Sequence, residues 1–128
     1  MVTPARKGRD FELYIYNKLL KPLLQENFAL CKWSGTKDEP GDIRGKNVLI
    51  DCKNIAVFSE NDVRNWYKKI TKEAEQSNKV PIIVHKWKKG RVTVIIDIKF
   101  IPESNFVGMA RFQWKDGSEI IRLLETTE

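Results

Sequence analysis

Asp42, Asp51 and Lys53 are the residues of this chain whose types and spacing best suit chemistry. Gly41-Asp42-Ile43 precedes a turn, Arg44-Gly45-Lys46-Asn47, and the run Val48-Leu49-Ile50-Asp51-Cys52-Lys53-Asn54 follows it. The apolar residues Val48 to Ile50 predict a strand that delivers an acid, a spacer and a lysine. On a strand, residues i and i+2 point the same way, so Asp51 and Lys53 share a face. A hairpin brings the Asp42 carboxylate beside them. Two carboxylates and an ammonium at a strand end suit a hard divalent cation and a water that must attack phosphorus. Taken alone, the spacing is also what a surface pairing of strand-end acids and lysine would give.

A second acid-x-lysine, Asp97-Ile98-Lys99, also follows apolar residues. It has no hairpin acid nearby. Val92, Val94, Ile96 and Ile98 alternate with Thr93, Ile95, Asp97 and Lys99, so Asp97 and Lys99 read as the wet face of an antiparallel strand. Glu12 borders the apolar stripe of an N-terminal helix. There it is either a solvated glutamate favoured by the helix dipole or a carboxylate that a metal site would partner.

The elements that must position these groups follow from patterning. Met1 to Gly8 reads as a mobile basic arm, and Phe11, Ile15 and Leu19 predict a helix from about Asp10. Pro22 ends or kinks it. Phe28 to Trp33 reads as a first strand, and Ser34 to Pro40 as a polar loop. After the Asp42–Asn54 hairpin, Ser59 and Asp62 have the spacing of a capping box. Val63, Trp66, Tyr67, Ile70 and Ala74 mark the buried stripe of the helix they open. Val80 to His85 and Arg91 to Phe100 are the next strands, around a turn at Lys88-Lys89-Gly90. Two further short strands are expected around Asp116-Gly117, a hairpin dipeptide. This order predicts a mixed α/β fold in a single domain, 1–128, with a basic arm (1–8), a core (9–100) and a C-terminal extension (101–128).

The 128 residues carry a net charge of +6, which favours a polyanionic partner such as nucleic acid. No apolar run approaches the roughly 20 residues of a membrane span, and residues 1–10 lack the apolar segment of a secretory signal. Cys31 and Cys52 are too far apart for a zinc-ligand spacing and read as reduced thiols. The expectation is therefore a cytoplasmic protein, or one of the host cytoplasm if phage-encoded.

At Asp42, Asp51-Cys52-Lys53 and Glu12 the chain resembles the PD-(D/E)xK nuclease superfamily, over roughly Lys7 to Phe100. Within it the look is nearest to small Holliday junction resolvases and related phage or mobile-element nucleases. Gly41 stands where the family name has Pro, and the second acid is Asp rather than the commoner Glu. The resemblance implies a restriction-endonuclease-like mixed β-sheet flanked by helices, with an αβββαβ core. It implies a Mg²⁺-dependent (or Mn²⁺-dependent) endonuclease of DNA, with Holliday junction resolution in recombination or repair as the structure-specific form. A nicking or restriction-type nuclease, or a non-catalytic nucleic-acid-binding module on the same fold, are the alternatives.

Carried over residue by residue, Asp42, Asp51 and the Cys52 carbonyl would hold the cation, with Glu12 joining directly or through water. Lys53 would position the attacking water. Ser34 or Thr36 would place a hydroxyl near the phosphate, or would simply form a turn. Arg6, Lys7 and Arg9, and the turn of Lys86, Lys88, Lys89 and Arg91, would track phosphates. The same turn lysines equally suit protection of a sheet edge. Junction resolution predicts a homodimer with paired sites. Phe106, Phe112 and Trp114 would anchor that dimer or complete the core. His85, the only histidine, reads as a strand-surface residue that the mechanism does not need.

Overall fold

A computed structural model describes residues 4–20, 28–30, 42–87 and 90–127, with side chains from residue 8 onward. Its elements are α1 (Pro4–Tyr14), β1 (Ala29–Leu30), β2 (Ile43–Arg44), β3 (Val48–Asn54), α2 (Glu60–Ser77), β4 (Val80–Trp87), β5 (Arg91–Asp97), β6 (Met109–Gln113) and α3 (Trp114–Thr126). The strands form one six-stranded sheet in the order β1-β2-β3-β4-β5-β6. Every neighbouring pair is antiparallel except β3 and β4. Parallel neighbours need a crossover, and α2 supplies it. The chain is thus mixed α/β, as expected.

Strand alternation divides the core between two sheet faces. Val48, Ile50 and Cys52 of β3 pack with Ile82, Val84, Val94 and Ile96 against Phe11 of α1, Ile15 just after it, and Ile121 and Leu124 of α3. The other face presents Leu49, Ile83 and Ile95 to Tyr67, Ile70 and Ala74 of α2. Asp51 and Lys53 alternate with Cys52, so they lie on the α2 face. α1 lies on the opposite face.

Helix α2 forms where the sequence predicts. Ser59 Oγ accepts from Asp62 N–H at 3.1 Å and Asp62 Oδ2 accepts from Ser59 N–H at 2.8 Å, completing the box. Asn78 ends the helix in the left-handed region, φ 56°. Helix α1 differs from expectation: it starts at Pro4 rather than near Asp10, so the backbone of the basic segment is helical. It passes into a π-helical turn over Ile15–Leu20. The wider i→i+5 repeat aligns Leu20 with Ile15, so Leu20 is fully buried where a regular helix would favour Leu19.

The tail also departs from the sequence pattern. Asp116 and Gly117 lie in the first turn of α3, not in a hairpin. An added Cβ on Gly117 would meet Val94 Cβ at 2.5 Å, so this glycine permits close helix–sheet approach rather than a turn. At the other end of α3 the buried Glu125 accepts from the backbone N–H groups of Lys46 (2.8 Å), Asn47 (2.6 Å) and Val48 (2.9 Å). That carboxylate clamps the turn between β2 and β3, and so helps to fix the hairpin that carries Asp42. Residues beyond Phe100 therefore supply a strand and a helix to the core.

The second acid-x-lysine has a structural role. Asp97 ends β5, and its Oδ1 accepts from Lys99 N–H (3.0 Å) and Gly108 N–H (3.3 Å), capping a 3₁₀ turn at Ile98–Phe100. Its strand face is not wet as expected, because Thr93 and Ile95 are buried.

Candidate active site

Asp42 immediately precedes β2, and its N–H donates at 2.9 Å to Ile50 O, on the residue that already pairs with Ile43. Its carboxylate then takes over from the ladder, with Oδ2 accepting the Cys52 N–H at 2.7 Å. The hairpin acid is thereby fastened to the strand that carries the acid-x-lysine. On that strand Lys53 Nζ lies 3.3 Å from Asp51 Oδ2, as a shared strand face requires, and both side chains are largely covered. Asp42 is 7% exposed and Glu12 9%.

The electrostatics identify Asp42 as the hub. The Asp51 carboxyl is pushed up to about 8 by burial first, then by the charge of Asp42 and a proton-sharing contact with it; Lys53 opposes the rise. Glu12 is pushed up to about 7, again by burial and then by Asp42, although Arg9 Nη1 lies 3.1 Å from its Oε2. Glu12 approaches from the α1 side and Asp51 from the α2 side, and Asp42 meets both at the sheet edge. The Cys52 thiol between them is driven up by burial and by all three acids. Burying like charges together is costly unless a proton or a cation relieves it.

These residues suit a hard divalent cation on that ground. Among the described residues no three His, Cys, Asp or Glu side chains form a ready cage. A cation held here would draw on two carboxylates, a backbone oxygen and water, a mix that suits Mg²⁺. The oxygen fits: Cys52 C=O points to the same side of β3 as its N–H, towards the edge where β2 has ended.

Other candidate residues fall elsewhere or outside the description. Arg9 is paired with Glu12, so it serves the acid as much as any phosphate. The side chains of Arg6 and Lys7, and all of Gly41, Ser34, Thr36, Cys31, Lys88 and Lys89, lie outside the described residues. β4 runs two residues further than expected, to Trp87, which pairs with Arg91. By alternation Lys86 points to the α1 and α3 face while Trp87 and Arg91 point to the α2 face, so the two described cations of this turn diverge. Phe112 and Trp114 pack against the core, whereas Phe106 is 74% exposed. No helix among the described residues is long and apolar enough to cross a membrane.

Sequence patterning missed a second cluster on the α2 face. His85 is not on the surface; it is fully buried. Its Nε2 lies 2.8 Å from Ile55 O and its Nδ1 lies 3.1 Å from Arg111 Nη1. A carbonyl accepts and a guanidinium donates, so the ring is the neutral Nε2–H tautomer. Burial, with Arg111 opposing the charged form, lowers its pKa from 6.5. Phe58, Trp66 and Trp87 surround the ring, and Lys53 Nζ lies 5.8 Å from the Trp66 ring centroid. The available signal was alternation: His85, Trp87 and Thr93 occupy one face of β4 and β5.

Compared with models of protein families and with curated protein sequences, the chain matches none.

Proposed function

We propose that this chain is a divalent-metal-dependent endonuclease that hydrolyses phosphodiester bonds in nucleic acid. The observation that carries the reading is Asp42, held against the Cys52 amide and crowding both Asp51 and Glu12, with Lys53 beside Asp51. A binding protein with a net charge of +6 gains nothing from burying three acids together on a surface meant for a polyanion. The order α1, β1-β2-β3, α2, β4 follows the αβββαβ core of the PD-(D/E)xK resemblance and supports the same reading.

Asp42, Asp51 and the Cys52 carbonyl would hold Mg²⁺ or Mn²⁺, with Glu12 reaching it directly or through water. When bound, such an ion polarises the scissile phosphate and lowers the pKa of a bound water. The protein contributes the rest. Lys53 orients the attacking water and offsets negative charge on the phosphorane-like transition state. Asp42 sets the position of Asp51 through the Cys52 amide. Glu12 and Asp51 hold protons when no cation is present and release them when one binds.

The test is cleavage of labelled four-way junction, nicked, single-stranded and linear duplex DNA and of RNA, with Mg²⁺, Mn²⁺ or EDTA, beside Lys53→Ala. The expected result is metal-dependent cutting that the variant loses by about a hundredfold or more while still binding. Symmetric cuts in the junction alone would make the enzyme a resolvase, and a dimer with paired sites. Full activity in Lys53→Ala would overturn the assignment. Binding without cutting under any metal, on DNA or RNA, would replace the enzyme with a binding module.

A further inference from the structure

A cleft of about 510 Å³ opens on the α2 face of the sheet, beside the aromatic cluster and away from the carboxylates. Phe58, Glu60, Arg64, Trp87, Met109 and Arg111 line it. We propose that this cleft holds one unstacked nucleotide of a single-stranded segment, its base against Phe58 and Trp87 and its phosphate at Arg111 and Arg64. The proposal rests on the endonuclease reading and names the form of substrate that the enzyme would engage.

The walls have the chemistry of a base pocket. Phe58 and Trp87 meet edge to face, 5.3 Å between centroids at 84°, so ring surface is presented without the two rings closing on each other. Every base has a π face, and stacking on aromatic side chains is the usual way a protein takes an unpaired one. Among the described residues the buried indole N–H of Trp87 has no hydrogen-bond partner. Such a donor is normally satisfied, and a base edge would meet it only if the indole turned toward the cleft. The cleft volume lies in the range of sites that take small molecules.

Arg111 supplies the anionic end. Its guanidinium lies 5.3 Å from the Phe58 ring centroid and 5.6 Å from that of Trp87. Nη1 is held by His85 Nδ1 and Thr93 Oγ1. Among the described residues Nε and Nη2 make no hydrogen bond, and their fork geometry suits phosphate oxygens. Among the described residues no carboxylate is paired with Arg111. The neutral His85 tautomer matters here, because it accepts from Arg111 and so aims a full cation at the cleft.

Sheet register ties the cleft to the candidate active site. Asp51 pairs with Ile83, Ile83 with Ile95 and Ile95 with Arg111, one row across four strands on one face. Three strand spacings place the backbones of Asp51 and Arg111 about 14 Å apart. Ile83 and Ile95 in that row are covered by α2, so a strand of nucleic acid reaching both sites would pass around the helix. Glu60 at the cleft rim suits a base amino group and disfavours a second phosphate, which leaves the phosphate to the arginines.

The test is binding of a fluorescein-labelled 12-nucleotide single strand in EDTA, so that no cutting intervenes, followed by anisotropy. It compares wild type with Trp87→Ala and Arg64→Ala, each checked for fold by circular dichroism. A series of strands carrying one abasic position is run beside the intact strand. Trp87→Ala is expected to weaken the intact strand about 5- to 100-fold, the range of a lost stacked base. One abasic position should cost wild type a similar factor and cost Trp87→Ala almost nothing more. Should Trp87→Ala fail to fold, photocrosslinking of a 5-iodouracil strand to wild type decides: adducts at Phe58 or Trp87 support the cleft, and adducts only elsewhere overturn it. Equal binding of intact and abasic strands, preference for duplex over single strand, or no binding at all would also overturn it. Metal-dependent cleavage without base dependence would remove this cleft and leave the endonuclease standing. Base-dependent binding without cleavage under any metal would do the reverse.

Discussion

The carboxylate of Asp42 accepts the amide hydrogen of Cys52 at 2.7 Å, and this one contact joins the entry of the hairpin to the centre of β3. It gives Asp42 a backbone role and a charge role at once. Asp42→Asn separates them, because the amide oxygen still accepts from Cys52 while the charge is gone. The fold should survive. Glu12 and Asp51 should both titrate lower than in wild type, yet stay above ordinary carboxyl values, because burial is the larger cause for each. Carboxyl ¹³C NMR titration reads both groups. Unchanged titration of Asp51 would mean that Asp42 does not crowd it.

The same two acids set a pH dependence with a definite sign. Glu12 rises from 4.5 to about 7 and Asp51 from 3.8 to about 8. The folded state therefore binds more protons than the unfolded chain between those limits, and stability without metal falls as pH climbs from about 4 to about 8. A bound cation displaces these protons, so its stabilisation grows across the same window. Melting in EDTA and in excess Mg²⁺ at pH 5.5, 7 and 8.5 checks this. The gap between the two melting temperatures should be smallest at pH 5.5 and widest at pH 8.5. A gap independent of pH would remove the raised carboxyls from the cation site.

His85 provides an independent check on the neighbouring cluster. A buried neutral imidazole that donates to Ile55 O and accepts from Arg111 should remain the Nε2–H tautomer at pH 6.5. Its lowered pKa means that the unfolded chain takes up a proton first, so this residue subtracts stability only as pH falls below about 6.5. Long-range ¹H–¹⁵N correlation distinguishes the tautomers directly. Imidazolium shifts at pH 6.5, or an Nδ1–H ring, would contradict the contact with Arg111. Arg111→Ala should raise the pKa of His85, since a nearby cation is removed and water gains access.

What the sequence revealed and what it hid divide along chain distance. The Asp42–Lys53 hairpin and the Ser59–Asp62 box were legible because turn, cap and alternation are local signals. The amphipathic stripe of α2 was legible for the same reason, down to Tyr67, Ile70 and Ala74 facing the sheet. Glu125 was not, because its partners at Lys46 to Val48 are almost eighty residues away and a glutamate near a helix end carries no sign of them. His85 and Arg111 meet only through the register of β4, β5 and β6, which no single-strand pattern encodes. Leu20 was hidden by a π turn that shifts the helical period. Asp116-Gly117 misled for a physical reason: glycine serves both turns and close approaches, and the dipeptide does not say which.

Gly117 turns that ambiguity into a measurement. In an exposed helix, Gly→Ala stabilises by about 1 kcal/mol through backbone entropy. Here an alanine Cβ would collide with Val94 Cγ2 and sit 2.5 Å from Val94 Cβ. Val94 is β-branched, fully buried between β4 and β6 and unable to swing away. Overpacking of this kind costs about 1–3 kcal/mol, so it should outweigh the helix gain. Gly117→Ala is therefore expected to destabilise by up to about 2 kcal/mol in urea denaturation, with little change in the slope of the transition. Val94→Ala alone should cost about as much, from the cavity it leaves. The double variant should recover part of both losses, because the new methyl enters the space the valine vacated. Stabilisation by Gly117→Ala alone would place α3 further from β5 than the structure does. Simple additivity in the double variant would break the contact between Gly117 and Val94 on which the position of the C-terminal helix rests.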